Sequence, residues 1–133
     1  MTHKEIKDQV ARYYNAVRSM DAHAWVSNFD EEGTLEDPVG SPVISGDREV
    51  LGQFFNNVVK TMFKKFDMRE QAVFAVQKGA GVKWVCEAIS HDAIEITFEG
   101  ISIFEYNESG LIKSMKAYWE PEILMDKLQG SAQ

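Results

Sequence analysis

Apolar side chains recur with a helical period near the start of the chain. They occur at Ile6, Val10, Tyr13 and Val17, spaced four, three and four residues apart, with Tyr14 beside them. This spacing places them on one face and predicts an amphipathic helix over residues 3–20. Tyr13 lies in the middle of the predicted buried face, where a tyrosine is ordinarily a core residue whose hydroxyl finds a partner.

Two more helices are predicted before the pattern changes. Asp21 is a favourable N-cap for a short helix with Trp25 and Phe29 one turn apart on its inner side. A third helix is predicted from about residue 47 to 65, starting at Ser45-Gly46-Asp47. Its inward positions are Val50 or Leu51, Phe54, Val58 and Met62, and its C-terminal end carries Lys60, Lys64 and Lys65. For these lysines, a solvated helix end is a sufficient interpretation.

After Asp67 the apolar pattern changes to a period of two, which predicts strands. Four strands joined by turns are expected, over residues 68–76, 82–89, 94–106 and 111–119. One side of the second strand holds Val82, Trp84, Cys86 and Ala88. The third strand is expected to be broken or bulged near Gly100. A short helix over residues 122–128 and a loose Gln-Gly-Ser-Ala-Gln tail are expected to follow.

The order of these elements predicts an α+β fold. Three helices and a short strand precede a four-stranded meander, so the helices should pack on one face of a curved antiparallel sheet. No repeat or linker divides the sequence, and we interpret residues 1–133 as one domain. On the long strand Ile101 and Ile103 lie on the outer face. A second subunit covering part of the sheet would explain them, so we expect a homodimer.

The segment Thr34-Leu35-Glu36-Asp37-Pro38-Val39-Gly40-Ser41 is a predicted short strand that enters a Pro/Gly turn, and the polar residues 30–33 are a predicted turn before it. Because side chains alternate along a strand, Leu35 and Asp37 share a face. If Leu35 enters the core, so does the Asp37 carboxylate, which must then be paired, neutralised or used in chemistry. A turn-forming role for Asp37 before Pro38 is the alternative, and on this segment alone it is the simpler one.

Composition narrows the possible functions. With 44% hydrophobic and 26% charged residues, the chain is typical of a soluble globular protein. Its net charge of −7 argues against binding to nucleic acid or to an anionic membrane. No apolar run approaches membrane-spanning length and the N-terminus lacks a signal-peptide pattern, so we expect a cytoplasmic protein. The single cysteine, Cys86, lies among apolar residues and is interpreted as a buried, inert thiol.

The common catalytic motifs are absent from the sequence. There is no Gly-rich phosphate loop, no nucleophile elbow and no His or Cys pair at metal-ligand spacing, so no metal site is predicted. His3, His23 and His91 are scattered and are interpreted as surface residues. Asp37 and Tyr13 remain as the candidates for chemistry.

A family resemblance links these two residues. Arg12-Tyr13, Asp21, Phe29 and the segment 34–41 closely resemble the ketosteroid (steroid Δ5-3-) isomerases of the nuclear transport factor 2-like superfamily. The resemblance is ungapped from Tyr13 to Gly46, and the interval of 24 residues from Tyr13 to Asp37 matches the family's spacing of tyrosine and aspartate. It resumes from Gly110 to Trp119, whereas residues 65–100 resemble the family only in pattern.

The resemblance implies a fold and a mechanism. The fold is a cystatin-like conical barrel, a curved mixed or antiparallel sheet wrapped on three N-terminal helices, with a deep apolar pocket and usually a homodimeric state. In that family the aspartate matching Asp37 is a general base, and the tyrosine matching Tyr13 donates a hydrogen bond to the oxyanion that develops. No metal or organic cofactor is needed, and the expected ligand is a small hydrophobic, steroid-like ketone. Trp119, Met115 and Phe54 are expected to line the cavity.

The sequence departs from the family pattern in ways that keep alternatives open. The second oxyanion donor of the family, a protonated aspartic acid, falls at Ser102, which is either a weaker pocket donor or a residue bonded to backbone. Phe29 and Phe54 replace tyrosines that in some members bond the catalytic tyrosine, and the outward-facing Glu95 and Glu99 do not substitute for the lost acid. Besides an isomerase, the chain is therefore compatible with a polyketide cyclase, dehydratase or epoxide hydrolase, or with a non-catalytic domain that binds a hydrophobic ligand.

Overall fold

The computed structural model describes residues 1–45 and 47–130. Within them the chain forms four α-helices, namely α1 (His3–Ser19), α2 (Ala22–Val26), α3 (Arg48–Phe55) and α4 (Pro121–Gly130). The six strands are β1 (Phe29–Glu36), β2 (Ile44–Ser45), β3 (Phe63–Val76), β4 (Gly79–Ser90), β5 (Glu95–Tyr106) and β6 (Ile112–Tyr118). Gly46, at the predicted start of the third helix, and residues 131–133 of the predicted loose tail lie outside the described part of the chain.

All six strands form one curved sheet in the order β2-β1-β6-β5-β4-β3. Strands β3 to β6 are the predicted antiparallel meander, and β1 pairs with β6 in the parallel direction, which makes the sheet mixed. Helix α1 packs across β3 and β4, and buried side chains of α1 to α3 meet the inner face of the sheet in one core. The predicted α+β fold class is confirmed.

The first two helices begin at side-chain caps. Thr2 and Glu5 form a capping box at α1. As predicted, Asp21 caps α2, and its carboxylate accepts hydrogen bonds from two backbone N–H groups in the first turn of that helix. Helix α2 ends at Val26, however, so Phe29 opens β1 instead of lying on the helix. Residues 30–33, predicted as a turn, also belong to β1. The ring of Phe29 still packs on Trp25, with ring centres 4.8 Å apart.

The third helix is shorter than predicted. Helix α3 ends at Phe55 and a π-helical turn, Asn56–Lys60, carries the chain towards β3. A π-turn contains more residues than an α-turn, so Leu51, Phe55 and Val59, four residues apart, stay on the buried face. Of the predicted alternatives Val50 and Leu51, Leu51 is the buried one and Val50 is 42% exposed, whereas the predicted inward residue Val58 is 37% exposed. Lys64 and Lys65 belong to β3, so they do not lie at a helix C-terminus.

Strand β5 is continuous through Gly100, so the predicted break is wrong. It pairs with β4 without interruption from Gly79 opposite Glu105 to Ile89 opposite Glu95, and its residues alternate strictly between exposed and buried. A Cβ atom on Gly100 would lie 2.6 Å from Cζ2 of Trp84 and 2.6 Å from the carbonyl oxygen of Tyr118. Glycine is therefore required by close packing against its neighbours.

The outer face of the sheet retains apolar side chains. Ile101 and Ile103 on β5 and Tyr118 on β6 are exposed in the single chain. The homodimer expected from this face stays a prediction. Among the described residues, none of the helices combines the length and hydropathy needed to cross a bilayer.

Replacing Gly100 by alanine tests the packing argument. The added methyl group meets backbone as well as the Trp84 ring, so we expect the free energy of unfolding to fall by about 1–3 kcal/mol. Gly81→Ala is the matched control on β4, because its Cβ would meet only Cδ1 of Ile103, at 3.6 Å. That control should change stability by no more than about 0.5 kcal/mol. Urea denaturation measures both variants, and equal losses would contradict the packing argument.

Candidate functional site

A cavity lies between the helices and the inner face of the sheet. All six residues predicted for the site line it, although they come from five different parts of the chain: Tyr13, Asp37, Phe54, Ser102, Met115 and Trp119. The remaining lining is apolar or aromatic and includes Val17, Phe66 and Leu124. Of the lining residues, Asp37, Phe54, Met68 and Trp119 are mostly buried but keep some contact with solvent.

Asp37 is positioned by the pairing of β1 with β6. It directly follows β1, whose Leu35 and Glu36 pair with Met115 and Lys116 of β6. Two residues later, the Val39 backbone N–H donates to the carbonyl oxygen of Ala117 at 2.8 Å. The turn that contains Asp37 is thus fixed to β6 on both sides, and Leu35 is fully buried on the inner face as the alternation predicted.

The Asp37 carboxylate has one hydrogen-bond donor among the described residues. The indole Nε1–H of Trp119, just beyond β6, donates to Asp37 Oδ1 at 2.6 Å. Burial raises the pKa of the Asp37 carboxyl, and the Trp119 N–H opposes that rise because it stabilises the charged form. Oδ2 has no donor in the described part of the chain, which leaves one carboxylate oxygen free to accept a proton.

Tyr13 lies in an aromatic cluster at the middle of α1. Its ring packs edge-to-face on Tyr14 and Phe104, each with ring centres 5.0 Å apart, and it is almost fully buried. Burial raises the pKa of Tyr13 well above its usual value, and the charge of Asp37 adds to that rise. The indole of Trp25 acts in the opposite direction. Tyr13 therefore keeps its proton at neutral pH and can only donate or accept hydrogen bonds as a neutral phenol.

Ser102 faces the cavity from the inner side of β5. It is only 1% exposed, and its Oγ accepts a hydrogen bond from the indole Nε1–H of Trp84 at 2.9 Å. The sequence left open whether Ser102 contacts the cavity or bonds backbone, and in the structure its partner is a side chain. Phe54, also at the cavity, stacks on Trp25 with ring centres 6.3 Å apart.

Ten other residues also line the cavity, among them Trp25, Trp84 and Leu124, which the sequence did not identify as site residues. The sequence predicts Trp25 on the inner side of its helix, places Trp84 on one side of its strand without indicating whether that side is buried, and assigns no role to Leu124 in α4. The period of two places Trp84 on the same side of its strand as Val82 and Cys86, but its bond to Ser102 depends on the β4–β5 register, which sequence alone does not give. For Leu124 the signal in the sequence was the short helix predicted over residues 122–128, which is too short to assign a buried face.

The charges at the cavity limit what it can bind. Asp37 is the one charged residue in the described lining, and no lysine or arginine accompanies it there. An anionic ligand would meet the Asp37 carboxylate with no compensating cation, so an uncharged ligand fits best. Within residues 1–45 and 47–130, no group of three His, Cys, Asp or Glu side chains is arranged as a metal site. The arrangement offers one base and two neutral hydroxyl donors beside an apolar space.

Comparison with known proteins supplies three findings. The SnoaL-like domain family matches residues 10–115. A steroid Δ-isomerase of Nocardioides simplex is 30% identical over 117 residues, which cover 88% of this chain and 91% of that protein. The solved structure of SalBIII, described as an epoxide hydrolase/cyclase-like enzyme in pyran ring formation in the polyether salinomycin, aligns with a TM-score of 0.79. It is 26% identical, and the alignment covers 90% of this chain and 94% of that one.

Replacing Asp37 by asparagine tests the burial of its carboxyl. A carboxyl whose folded pKa is raised destabilises the folded state above that pKa, and the penalty disappears below the unfolded pKa, where both states are protonated. We therefore expect Asp37→Asn to increase the free energy of unfolding at pH 7, and the increase to vanish near pH 3. Urea denaturation over this pH range measures it. The exposed Asp92→Asn is the control, and a destabilised Asp37→Asn at pH 7 would contradict the assignment.

Proposed function

The chain belongs to the SnoaL-like domain family, and from this we propose that it is a cofactor-free isomerase that moves the double bond of a small hydrophobic ketone. One observation carries the proposal: the Asp37 carboxylate and the hydroxyl-bearing residues Tyr13 and Ser102 line a single cavity. The 30% identity to a steroid Δ-isomerase supports this reaction class.

In the first step Asp37 acts as the general base. Its free oxygen, Oδ2, removes a proton from the carbon between the carbonyl group and the double bond of a β,γ-unsaturated ketone. The electron pair of that C–H bond moves into the conjugated system, and negative charge develops on the carbonyl oxygen. The Trp119 N–H keeps the other oxygen, Oδ1, in place at 2.6 Å, so the base is oriented before the substrate arrives.

The developing oxyanion needs donors, and Tyr13 and Ser102 supply them. Both residues carry neutral hydroxyl groups, and hydrogen bonds to a developing charge are stronger in a site that excludes water. Burial keeps Tyr13 protonated at neutral pH because it raises the pKa of the phenol. In the second step the protonated Asp37 returns its proton to the far carbon of the dienolate. The product is the conjugated enone, and the Asp37 carboxylate is restored.

The similarity to SalBIII favours a second candidate function. That protein is described as epoxide hydrolase/cyclase-like, and it shares the fold at 26% identity. In such chemistry Asp37 would take the proton of a hydroxyl group or a water molecule whose oxygen attacks an epoxide carbon. The C–O bond of the epoxide at that carbon breaks, and the alkoxide that forms takes up the proton from Asp37. A screen of epoxide substrates with product detection distinguishes this candidate from the isomerase.

If the protein is instead a non-catalytic binding domain, Asp37→Asn should retain ligand affinity and no substrate should ever be converted.

Turnover of a bicyclic β,γ-unsaturated ketone tests the assigned base and donor. We expect Asp37→Asn to lower the rate by about 10²–10⁴-fold, because the carboxamide cannot accept the proton. Tyr13→Phe should lower it by about 10²–10³-fold through loss of one oxyanion donor. Ultraviolet absorbance of the conjugated enone measures both.

Tyr106→Phe is the matched control for Tyr13→Phe. It also deletes a buried hydroxyl, but Tyr106 is not among the cavity-lining residues. Its rate should therefore stay near that of the unmodified protein. Turnover that is unchanged in Asp37→Asn would exclude the proposed reaction, as would equal losses in the two tyrosine variants.

The pH dependence of this turnover tests the role of Trp119. Only the ionised carboxylate can accept a proton, so the rate should fall on the acid side with a midpoint above the ordinary aspartate value. Trp119→Phe removes the donor that stabilises the ionised form, so the pKa of Asp37 rises and the acid limb moves to higher pH. Trp25→Phe, which removes a different indole from the cavity, is the control and should leave this limb in place. A shift of the limb to lower pH in Trp119→Phe would contradict the assignment.

A further inference from the structure

The hydrogen bond between Trp84 and Ser102 is buried beside the cavity. The indole Nε1–H of Trp84 donates to Ser102 Oγ at 2.9 Å. Each of the two residues is 1% exposed, and both line the cavity. Bulk water therefore does not compete for this hydrogen bond. The geometry of the bond determines in which direction the Ser102 hydroxyl proton can point.

The packing of the sheet sets this geometry. In the β4–β5 register Trp84 lies opposite Gly100, and Val82 lies opposite Ser102. Trp84 and Ser102 are thus diagonal neighbours on one face, within reach of a long side chain. The absence of a side chain on Gly100 lets the indole lie across β5, since a Cβ there would be 2.6 Å from Cζ2 of the ring. Phe98 packs edge-on against the same ring, with ring centres 5.7 Å apart.

The direction of the bond leaves the serine proton free. An indole N–H can only donate, so it occupies a lone pair of Ser102 Oγ and takes no proton from it. Among the described residues, no acceptor in hydrogen-bonding geometry receives the Ser102 proton. The Tyr14 hydroxyl lies near Ser102: burial raises the pKa of Tyr14, and the Ser102 hydroxyl opposes that rise. The two hydroxyl groups are nevertheless not in hydrogen-bonding geometry, and the Tyr14 hydroxyl has no partner in the described part of the chain. A buried donor without an acceptor is unfavourable, and an acceptor atom of a ligand in the cavity would relieve it.

We propose that Trp84 is a positioning residue, which holds Ser102 as an acceptor so that the serine proton points to the carbonyl oxygen of the ligand. The inference rests on the proposed function, which supplies that oxygen. The proposal also explains how Ser102 can serve as a hydrogen-bond donor at a position where a carboxylic acid would be the stronger donor. Donation into Oγ polarises the O–H group, because hydrogen bonds in a chain strengthen one another.

A double-mutant cycle on ligand affinity tests the proposal. The probe is a conjugated bicyclic enone, whose binding needs no net reaction and whose absorption band moves to longer wavelength when its oxygen accepts hydrogen bonds. Ser102→Ala should weaken binding by about 3–10-fold through loss of one hydrogen bond. Trp84→Phe should weaken binding about 2–5-fold and reduce the band shift while Ser102 is present. In the Ser102→Ala background, Trp84→Phe should have little further effect.

Phe98→Leu is the matched control, since it alters the cavity wall and the packing of the Trp84 ring without removing a polar group. Its effect on affinity should be the same with Ser102 present and in the Ser102→Ala background. If Trp84→Phe also has equal effects in both backgrounds, Trp84 only packs and the proposal is wrong. An enone that fails to bind the unmodified protein would overturn it as well.

The same measurements separate this inference from the proposed function. A protein that binds the enone with the predicted coupling, yet never converts a β,γ-unsaturated ketone, would exclude the isomerase and leave the role of Trp84 intact. Conversely, turnover without coupling between Trp84 and Ser102 would exclude only the positioning role.

An NMR measurement keeps the proposal testable if Trp84→Phe does not fold. The three tryptophans give three indole N–H signals. Ser102→Ala removes the acceptor of Trp84, so one of these signals should move upfield and exchange its proton faster with solvent. The same signal should respond when the enone binds the unmodified protein. If no indole signal responds to Ser102→Ala, the proposed bond is absent and the inference fails.

Discussion

The enclosed carboxylate of Asp37 is the constraint on which the site depends. A carboxylate beside an apolar cavity is unfavourable unless a donor compensates for the water it has lost. Trp119 provides that donor at 2.6 Å, across 82 residues of sequence. This bond requires the parallel pairing of β1 with β6, which brings the turn after β1 to the end of the last strand. The topology of the sheet and the chemistry of the site are therefore linked through one hydrogen bond.

Burial has opposite consequences for stability and for chemistry at this site. It raises the pKa of the Asp37 carboxyl, which disfavours the charged folded protein and makes the carboxylate a stronger base. Burial likewise raises the pKa of the Tyr13 phenol, which therefore stays protonated, so the cavity combines a carboxyl group with a neutral hydrogen-bond donor. Pairs of titratable groups whose environments separate their roles in this way are typical of catalytic sites, for which natural proteins accept some loss of stability.

Local periodicity in the sequence predicted the inward faces of the elements that carry the site. The helical spacing around Tyr13 and the alternation along β5 placed Tyr13 and Ser102 correctly on buried faces. Because Leu35 and Asp37 lie on the same face of the strand, the sequence predicted that the Asp37 carboxylate points inward. The family resemblance added the hypothesis that this carboxylate is a general base. These inferences succeeded because each depends on neighbours within a few residues.

The features that the sequence did not predict depend on contacts between segments that are distant along the chain. The π-helical turn after Phe55 and the early start of β3 follow from how α3 meets the sheet, and nothing in the periodicity of residues 47–65 reveals them. A glycine within a strand pattern often marks a break, so the sequence predicted one at Gly100. In the structure the Trp84 ring, which belongs to another strand, fills the space where a side chain of residue 100 would lie. The bonds from Trp119 to Asp37 and from Trp84 to Ser102 need the strand register, which tertiary structure alone supplies.

The most direct test of the central claim, that the Asp37 carboxyl is buried at the site, is an NMR titration of the Asp37 side-chain carboxyl carbon in the folded protein. The account predicts a midpoint above 3.8, the ordinary value for an aspartic acid side chain, and a midpoint at or below that value would contradict it.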